Sequence, residues 1–201
     1  MKKFTLLVVA ILIASLCFGQ KIKLSSGNLS VLKGEAVVKV EYTYDNLKVG
    51  KMAEKDYIEK RISESERAKP GDGKRWVESW NNDRGSRYQV KFEELYNKIA
   101  KKNGFQIDPE KEDARYKMIV NTYFIEPGFN VGVMRKNSLV SMTITFVETA
   151  NPNNVIAVFD VSKSPGSDVM GVDFDTGWRI SEAYAKAGKA FSNHIIKKHL
   201  K

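Results

Sequence analysis

The triplet Asp175-Thr176-Gly177 is the strongest hint of chemistry in this chain. It matches the catalytic triplet of aspartic proteases, in which two such carboxylates share one proton because like charges about 3 Å apart cannot both ionise. The chain carries one copy, so that reaction would require a symmetric dimer. Trp178 and Arg179 follow at the predicted start of a helix, where an aspartate side chain accepts free backbone N–H groups. We therefore predict that Asp175 or a neighbouring residue caps this helix.

Hydrolysis of a glycan or peptide by a pair of carboxylates is a second use for these acids. Such a pair must lie within about 5–10 Å across a cleft. The sequence offers four aspartates for this role: Asp160, Asp168, Asp173 and Asp175. A calcium loop of the helix–loop–helix kind is not indicated, because Gly177 and Tyr184 stand where it needs ligands. We therefore assign no catalytic residue.

His194 and His199 are the two histidines of the chain. In an α-helix of 3.6 residues per turn, a spacing of five places them about 140° apart, so they cannot both face one metal ion without help. The zinc-binding spacing on a helix is four, with a carboxylate between the histidines. No nucleophile elbow and no phosphate-binding glycine loop occurs in the sequence. We therefore predict no metal site and no cofactor.

Aromatic and apolar residues provide a different signal, because tryptophan and tyrosine are over-represented in binding surfaces. Two tryptophans are spaced by one helical turn, and a third stands at the start of the last helix. An apolar loop over residues 126–137 either packs into the core or contacts a partner. Core packing is the alternative for the tryptophans as well. The candidate residues for ligand or partner binding are Trp76, Trp80, Phe129, Val131, Met134 and Trp178.

The first half of the body predicts one strand followed by helices. Residues 35–44 alternate between apolar and polar side chains, which indicates a half-buried strand. Residues 53–68 have the pattern of a charged surface helix. A short helix is then predicted around the first two tryptophans, and residues 81–85 are predicted to interrupt it. A second helix with a clear apolar face follows over residues 88–102.

The second half predicts strands over residues 116–125, 139–148 and 155–161, then a polar loop over 162–172 and a long helix over 177–200. Strand, helices, antiparallel strands and a closing helix indicate the α+β class. We expect a single mixed or antiparallel sheet of about four to five strands, with helices packed on one face.

The N-terminus predicts where the protein works. A basic start precedes an uncharged run over residues 4–16, and a small-residue cleavage site lies near Gly19. This is the pattern of a secretory signal peptide over residues 1–19, so we expect an exported protein of the periplasm or cell envelope. Lipid anchoring at Cys17 is the less favoured alternative, because Leu16 stands where a lipobox needs a small residue.

The remaining chain predicts one domain. Cys17 is the only cysteine, so the mature chain has no thiol and no disulfide. Residues 20–34 are polar and predict a flexible lead-in or a short edge structure, and residues 35–201 form a single domain. The formal charge of +9 includes two lysines of the predicted signal peptide. Basic and acidic residues are interspersed along the rest of the chain, which predicts a solvated basic surface. We expect no nucleic-acid partner, whereas association with a membrane surface stays open.

The segment Ala114-x-Tyr116-x-Met118-x-Val120, the alternating strands after it and the alanine-rich helix over residues 183–191 resemble small envelope domains of Gram-negative bacteria. The similar domains are the periplasmic domain of the curli-secretion protein CsgG and the N-terminal domain of TolB, and the resemblance covers residues 35–200. It implies a scaffold or assembly module without catalysis. The two-tryptophan segment departs from the pattern, and no functional residue is carried over.

Together these observations favour a non-enzymatic exported envelope protein that acts as a binding or assembly module. Its partner would be another envelope protein or a small ligand. One alternative is a carrier of a small apolar or anionic ligand, held between the sheet and the helices and gated by residues 126–137. The other alternative is the hydrolase that uses a pair of aspartates.

Overall fold

The structure is a computed structural model that describes residues 19–131, 134–166 and 175–200. The predictions for the signal peptide and for Cys17 lie outside the described residues, apart from Gly19. The candidate acids Asp168 and Asp173 also lie outside them.

Ten strands and four α-helices occur in the described part of the chain. The strands are β1 (Lys21–Gly27), β2 (Val37–Thr43), β3 (Lys48–Val49), β4 (Met52–Ala53), β5 (Gln106–Asp108), β6 (Tyr116–Glu126), β7 (Phe129–Asn130), β8 (Arg135–Lys136), β9 (Ser138–Glu148) and β10 (Val155–Gly166). The helices are α1 (Glu54–Ala68), α2 (Asp72–Asp83), α3 (Val90–Ala100) and α4 (Thr176–Ile195). Two π-helical segments, Arg84–Gln89 and Ile196–Leu200, follow α2 and α4.

Eight of these strands form one mixed sheet. Its main path runs β1-β10-β9-β6-β2-β5, with β3 paired to β6 and β4 paired to β3. β2 is parallel to β5 and β6, whereas β6, β9, β10 and β1 are antiparallel neighbours. The α+β class predicted from the sequence is therefore confirmed, but the predicted number of strands is too low.

The strands that the sequence did not predict are short or polar. β3 and β4 contain only two residues each, too few to show an alternating pattern. β1 pairs with β10 at the sheet edge and exposes Lys21 and Lys23. Lysines are common on edge strands because they discourage pairing with another chain. Residues 20–34 thus contain the short edge structure that the sequence allowed, and the ordered domain begins before residue 35.

One face of the sheet carries the hydrophobic core. Buried side chains alternate along β6 with half-buried ones, and they are Tyr116, Met118, Val120 and Thr122. Helix α4 packs against β9 and β10 on this face. Tyr42 of β2 contacts Phe92 of α3, with their ring centroids 6.0 Å apart. The helices and the sheet therefore share one apolar core.

The opposite face of the sheet is lined by polar side chains. Lys39 and Lys117 both form ion pairs with Glu41, at 3.4 and 2.8 Å. Further along the face, the Tyr123 hydroxyl donates a hydrogen bond of 2.8 Å to Asp160 Oδ1. Burial and the adjacent Asp160 carboxylate raise the pKa of Tyr123 to about 12, so this hydroxyl keeps its proton near neutral pH.

β10 continues beyond the point where the sequence predicts a loop. The prediction ends the strand at Val161, but pairing with β9 runs to Gly166. The register shifts between Val161 and Ser164, and Lys163 adopts a φ of 55°. This irregularity is a β-bulge, whose extra residue breaks the alternation by which a strand is recognised. The bulge also brings the Ser164 hydroxyl to the Ala183 carbonyl of α4, at 2.8 Å.

Helices α2 and α3 form one continuous rod. The interruption predicted over residues 81–85 is wrong, because the π-helical segment Arg84–Gln89 connects the two helices directly. A π-helical turn bonds residue i to residue i+5, so it accommodates an additional residue without ending the helix. Gly85 and Ser86 lie inside this segment, and the Ser86 hydroxyl donates to the Asn82 carbonyl at 2.7 Å.

Small residues allow α4 to approach α3 closely. A methyl group placed on Gly188 would lie 3.0 Å from the carbonyl carbon of Phe92 and closer still to its oxygen. Aromatic rings fill the space beside this contact, and Tyr88 stacks on Tyr184 with centroids 5.2 Å apart. The Tyr184 hydroxyl also shares a hydrogen bond of 2.6 Å with Thr122 in the core.

α1 lies on the surface, as its charged sequence predicts, and none of its residues is buried. After α3, Gly104 adopts a φ of 72° and ends the helical segment. Within residues 19–131, 134–166 and 175–200, no helix is both long and apolar enough to cross a membrane.

Candidate functional site

An aromatic cluster joins α1 to α2. Trp76 and Trp80 lie one turn apart on α2 and stack with their ring centroids 5.5 Å apart and an interplanar angle of 17°. The Tyr57 ring of α1 contacts both tryptophans, with its centroid 5.8 Å from that of Trp76 and 5.4 Å from that of Trp80. The Arg61 guanidinium lies over Trp76, 5.4 Å from the ring centroid. The i, i+4 spacing of the tryptophans thus builds one flat aromatic surface.

The two tryptophans differ in how much they expose. Trp80 is only 5 % exposed, and its Nε1–H donates a hydrogen bond of 2.7 Å to Glu54 at the start of α1. Glu54 also contacts Arg84, whose guanidinium lies 4.2 Å from the Tyr44 ring centroid. Trp76 is half-buried and packs against the core from outside. Trp80 is therefore part of the packed core, whereas Trp76 keeps part of its ring exposed.

A cleft of about 280 Å³ opens beside this cluster, and we call it the aromatic cleft. One wall consists of Tyr57, Arg61, Trp76 and Trp80. Polar side chains form the second wall: Asp83 at the end of α2, Tyr88 in the π-helical segment and Asp175 before α4. The Tyr88 hydroxyl is buried and has no hydrogen-bond partner among the described residues. Burial also raises its pKa, so this hydroxyl stays protonated.

Charged side chains connect the second wall to the start of α4. Arg87 Nε lies 3.1 Å from Asp83 Oδ1, and its Nη1 lies 3.3 Å from Asp175 Oδ1. The Arg87 guanidinium also lies 5.0 Å from the Trp178 ring centroid. Gly177 makes this arrangement possible, because a Cβ at that position would collide with the Asp83 carboxylate. The third predicted tryptophan is thus held half-buried against Arg87.

Asp175 performs the predicted structural role. Its Oδ1 accepts a hydrogen bond of 3.1 Å from the Trp178 backbone N–H, and it is the N-cap residue of α4. Neighbouring Asp83 is buried, and desolvation raises the pKa of its carboxyl, opposed by the charge of Arg87. The two carboxylates flank one guanidinium, so their arrangement satisfies Arg87 and supports the helix junction.

The structure does not bring the described candidate acids of the hydrolase together. Asp160 lies on the polar face of the sheet, where it accepts the hydrogen bond from Tyr123. Asp175 caps α4, which packs on the opposite face. The sheet therefore separates these two carboxyl groups, whereas a hydrolytic pair must face one cleft.

The apolar loop over residues 126–137 is a small hairpin in which β7 pairs with β8. Phe129, Val131 and Met134 are 42 %, 61 % and 62 % exposed, and we call these three side chains the hairpin tip. The predicted alternative of core packing therefore does not apply to the described residues of this loop. An exposed apolar group of this kind is a common feature of binding surfaces.

Polar contacts hold the base of the hairpin in place. Lys136 Nζ lies 2.6 Å from Glu126 Oε2, closing the two ends of the hairpin. Arg179, although only 3 % exposed, donates to the Thr176 hydroxyl at 3.0 Å and to the Gly128 carbonyl at 3.4 Å. Because Thr176 also lines the aromatic cleft, the hairpin and the cleft lie at the same end of the domain. All six predicted site residues belong to this end.

Several residues of this end were not predicted from the sequence. Tyr57 and Arg61 have only the pattern of a charged surface helix, and Asp83 and Arg87 carry no functional signal of their own in the sequence. The spacing of Asp83 and Arg87 is the i, i+4 spacing of a helical ion pair, but the predicted break over 81–85 hid it. Recognition of the continuous helix would have revealed this pair.

The two histidines are closer together than α-helical geometry predicts. The ring centroids of His194 and His199 lie 5.6 Å apart, because Ile196–Leu200 continue α4 as a π-helical turn. The prediction that they face different directions is therefore wrong. Among the described residues, no group of three or more His, Cys, Asp or Glu side chains has an arrangement suited to a metal ion.

The described residues define an α+β domain with an aromatic cleft and an exposed apolar hairpin at one end. No family model and no curated protein matches the chain. A PelC dodecamer from Paraburkholderia phytofirmans is similar in structure, with 13 % identity, a TM-score of 0.39, and coverage of 84 % of this chain and 97 % of that chain. A variant of the PelC dodecamer from the same organism has 16 % identity, a TM-score of 0.33, and coverage of 84 % and 98 %. Similarities at this level assign no family to the chain.

Proposed function

We propose that this protein is a non-enzymatic, exported binding or assembly module that contacts another envelope protein through the hairpin tip. The observation that carries this proposal is the exposure of Phe129, Val131 and Met134 on a hairpin whose base is fixed by Arg179 and Glu126. Fixing the base reduces the conformational entropy that binding must overcome. The hairpin thus has the properties of a preorganised apolar anchor.

Covering the apolar surface of the hairpin tip would contribute to the free energy of binding. Full burial of a Val or Met side chain contributes about 1.5–3 kcal/mol. Val131 and Met134 expose about three fifths of their surface, so covering them with a partner contributes roughly 1–2 kcal/mol each. Fewer than about 30 % of interface residues contribute more than about 1 kcal/mol, so these two side chains would be among the stronger contacts of an interface.

Charges around the tip favour a protein partner over an anionic lipid surface. Lys136 is paired with Glu126, and Arg87 is paired with Asp83 and Asp175. These neighbouring cations are neutralised within the domain, whereas binding to anionic lipid uses basic clusters. Alternating charges instead suit a rim that surrounds an apolar contact between proteins.

The resemblance to CsgG-like and TolB N-terminal-like envelope domains is part of the same proposal, together with the signal peptide. The alternating strand β6, the antiparallel strands after it and the alanine-rich α4 support it. Intact-mass analysis of protein from the envelope fraction tests export directly. Cleavage near Gly19 is the expected result, and a retained leader on cytosolic protein contradicts the proposal.

Site-specific photo-crosslinking tests the interaction surface. A photoreactive phenylalanine analogue is placed at Val131, and at Val155 as the control, because Val155 is 51 % exposed at the opposite end of β10. We expect one cross-linked envelope protein from position 131 and none from position 155. Adducts to lipid alone, identical products from both positions, or only a product of two copies of this chain would each refute the proposed partner class.

Binding of the purified cross-linked partner then provides the quantitative test. Val131→Asp removes the apolar contact and places a charge in the interface, so it should weaken binding at least about tenfold. Val155→Asp should leave the dissociation constant unchanged. Equal affinities for wild type and Val131→Asp would refute the role of the tip.

A carrier function is the second candidate, and the aromatic cleft favours it. Its flat wall at Trp76 and the unpartnered Tyr88 hydroxyl would suit a small apolar ligand that accepts one hydrogen bond. The apolar anionic dye anilinonaphthalene sulfonate is a suitable probe. Saturable binding that is lost in Trp76→Ala and kept in Phe129→Ala would support the carrier, whereas unsaturable or unchanged binding would refute it.

A further inference from the structure

His194 and His199 lie side by side at the C-terminal end of the last helix. Their ring centroids are 5.6 Å apart with an interplanar angle of 36°. Both rings contact Phe159 of β10 edge to face, at 6.2 and 5.3 Å. Phe159 is fully buried in the sheet, and the two half-buried imidazoles pack against its ring.

The π-helical turn causes this proximity. In an α-helix, five residues correspond to about 500° of rotation, which leaves the two side chains about 140° apart. In the segment Ile196–Leu200 the turn is wider, because its backbone bonds span five residues instead of four. Residues five apart therefore come to nearly the same side of the helix. Such π-helical turns occur frequently at functional sites.

The spacing of the rings matches chelation of one metal ion. Imidazole nitrogens bind zinc at about 2.0–2.1 Å, so each ring centroid lies about 3.2 Å from the ion. At a tetrahedral angle, two such rings have centroids about 5 Å apart. The observed 5.6 Å differs from this value by less than the movement that small side-chain rotations allow.

The protonation state of both rings suits ligation. Burial lowers the pKa of His194, and the charge of Lys198 and the neighbouring His199 lower it further. Burial and Lys198 likewise lower the pKa of His199. Both rings are therefore neutral near neutral pH, and neutral imidazole is the form that binds metals.

We propose that His194 and His199 form a two-histidine site for one divalent transition-metal ion of the zinc, nickel or copper type, with water completing the coordination. The donors are imidazole nitrogens without a carboxylate, whereas calcium and magnesium bind oxygen donors, so these two ions are excluded as the bound metal. The ion would tie the π-helical turn to the end of α4. The site is independent of the hairpin tip and of the proposed function.

Nuclear magnetic resonance of the full chain without a histidine tag tests this site. The chain has two histidines, so the imidazole region contains two side-chain spin systems. Substoichiometric Ni²⁺ should broaden both sets of signals together. Broadening of neither histidine, or of only one, would overturn the proposal. This measurement needs no variant, so it does not depend on how a substitution affects folding.

Isothermal titration with Zn²⁺ provides the second test. Wild type should bind one equivalent, and either His194→Gln or His199→Gln should weaken binding at least about tenfold, because chelation requires both donors. Lys197→Gln is the matched control on the same turn and should bind as wild type does. Binding that is equal in all four proteins would place the ion on other groups and overturn the proposal.

Discussion

Replacing Gly188 with alanine should destabilise the protein, although alanine is the better helix former. Gly188 lies where α4 approaches the backbone of α3. A Cβ at this position would lie 3.0 Å from the Phe92 carbonyl carbon and 3.2 Å from its Cα, and ordinary contacts begin at 3.4 Å. The obstacle is backbone, which cannot rotate away as a side chain can.

The expected loss follows from two opposing effects. The Phe92 carbonyl oxygen lies closer still to this Cβ, so relieving the contact requires α3 and α4 to separate by up to about 1 Å, and a gap of about 0.5–1 Å removes a quarter to a half of each dispersion contact. The stacked rings of Tyr88 and Tyr184 lie beside this contact and would lose part of their packing. Overpacking costs typically about 1–3 kcal/mol, while Gly→Ala in a helix returns about 1 kcal/mol. Because the obstructing atoms belong to the backbone, the upper part of the overpacking range applies, about 2–3 kcal/mol, and we expect a net loss of about 1–2 kcal/mol.

Urea denaturation followed by circular dichroism measures this change. With a slope of about 2 kcal/mol per molar urea, the midpoint should fall by roughly 0.5–1 M. Gly85→Ala is the matched control, because no atom beyond the neighbouring turns of its own helix lies within 4 Å of the Cβ that it would add. The control should raise the midpoint slightly. If Gly188→Ala unfolds at the same urea concentration as wild type or higher, the packing of α3 on α4 is not as tight as described.

Three further outcomes test the core and the cleft. Trp80→Phe removes the indole donor to Glu54 and should lower the free energy of unfolding by about 1–2 kcal/mol; a neutral effect in urea melts would show that this hydrogen bond contributes nothing. Tyr184→Phe leaves the Thr122 hydroxyl without its partner in the core and should cost about 1–3 kcal/mol in the same assay, and full stability would contradict this. Burial raises the pKa of the Asp83 carboxyl above its ordinary value of 3.8. Protonation of this carboxyl therefore stabilises the folded state fully below pH 3.8, and this stabilisation is lost as the pH rises through the folded-state pKa. The unfolding free energy of wild type minus that of Asp83→Asn should therefore decrease across this window, and a constant difference would exclude the shift.

Elements with a regular period were predictable from the sequence. The alternation along β6 and the apolar stripe of α4 gave their positions to within a few residues. Both signals are local, because each side chain reports which face of its own strand or helix is buried. The class of the fold follows from the order of such elements, so it was predictable as well.

The main errors in the elements predicted from the sequence occur at irregular turns. The bulge at Lys163 and the π-helical segments at residues 84–89 and 196–200 each depart from the regular repeat of the element that contains them. Where the regular repeat shifts in this way, the sequence pattern resembles the end of an element or a change of the buried face. The predicted helix break and the predicted separation of the histidines are both errors of this kind.

The candidate site was predictable in its residue types but not in its geometry. Trp76, Trp80 and the apolar loop carry the compositional signal of a binding surface. The packing of Tyr57 against them and the pairing of Asp83 with Arg87 depend on how α1, α2 and α4 meet. Such long-range contacts leave no periodic pattern in one sequence. Asp160 and Asp175, similar in type and close in sequence, are separated by the sheet for the same reason.

The π-helical segment Arg84–Gln89 sets the angular orientation of the cleft relative to the core. The π-helical turn takes up one additional residue within a single turn, so the side chains of α2 and α3 keep the relative orientation that a regular α-helix one residue shorter would give them. A regular α-helix of the present length would instead rotate the α2 side chains by about 100° relative to α3, and Trp76 would leave Tyr57. Deletion of one residue inside this segment is therefore compatible with the same cleft, whereas deletion of one residue within α2 or α3 would misplace the cleft or the core.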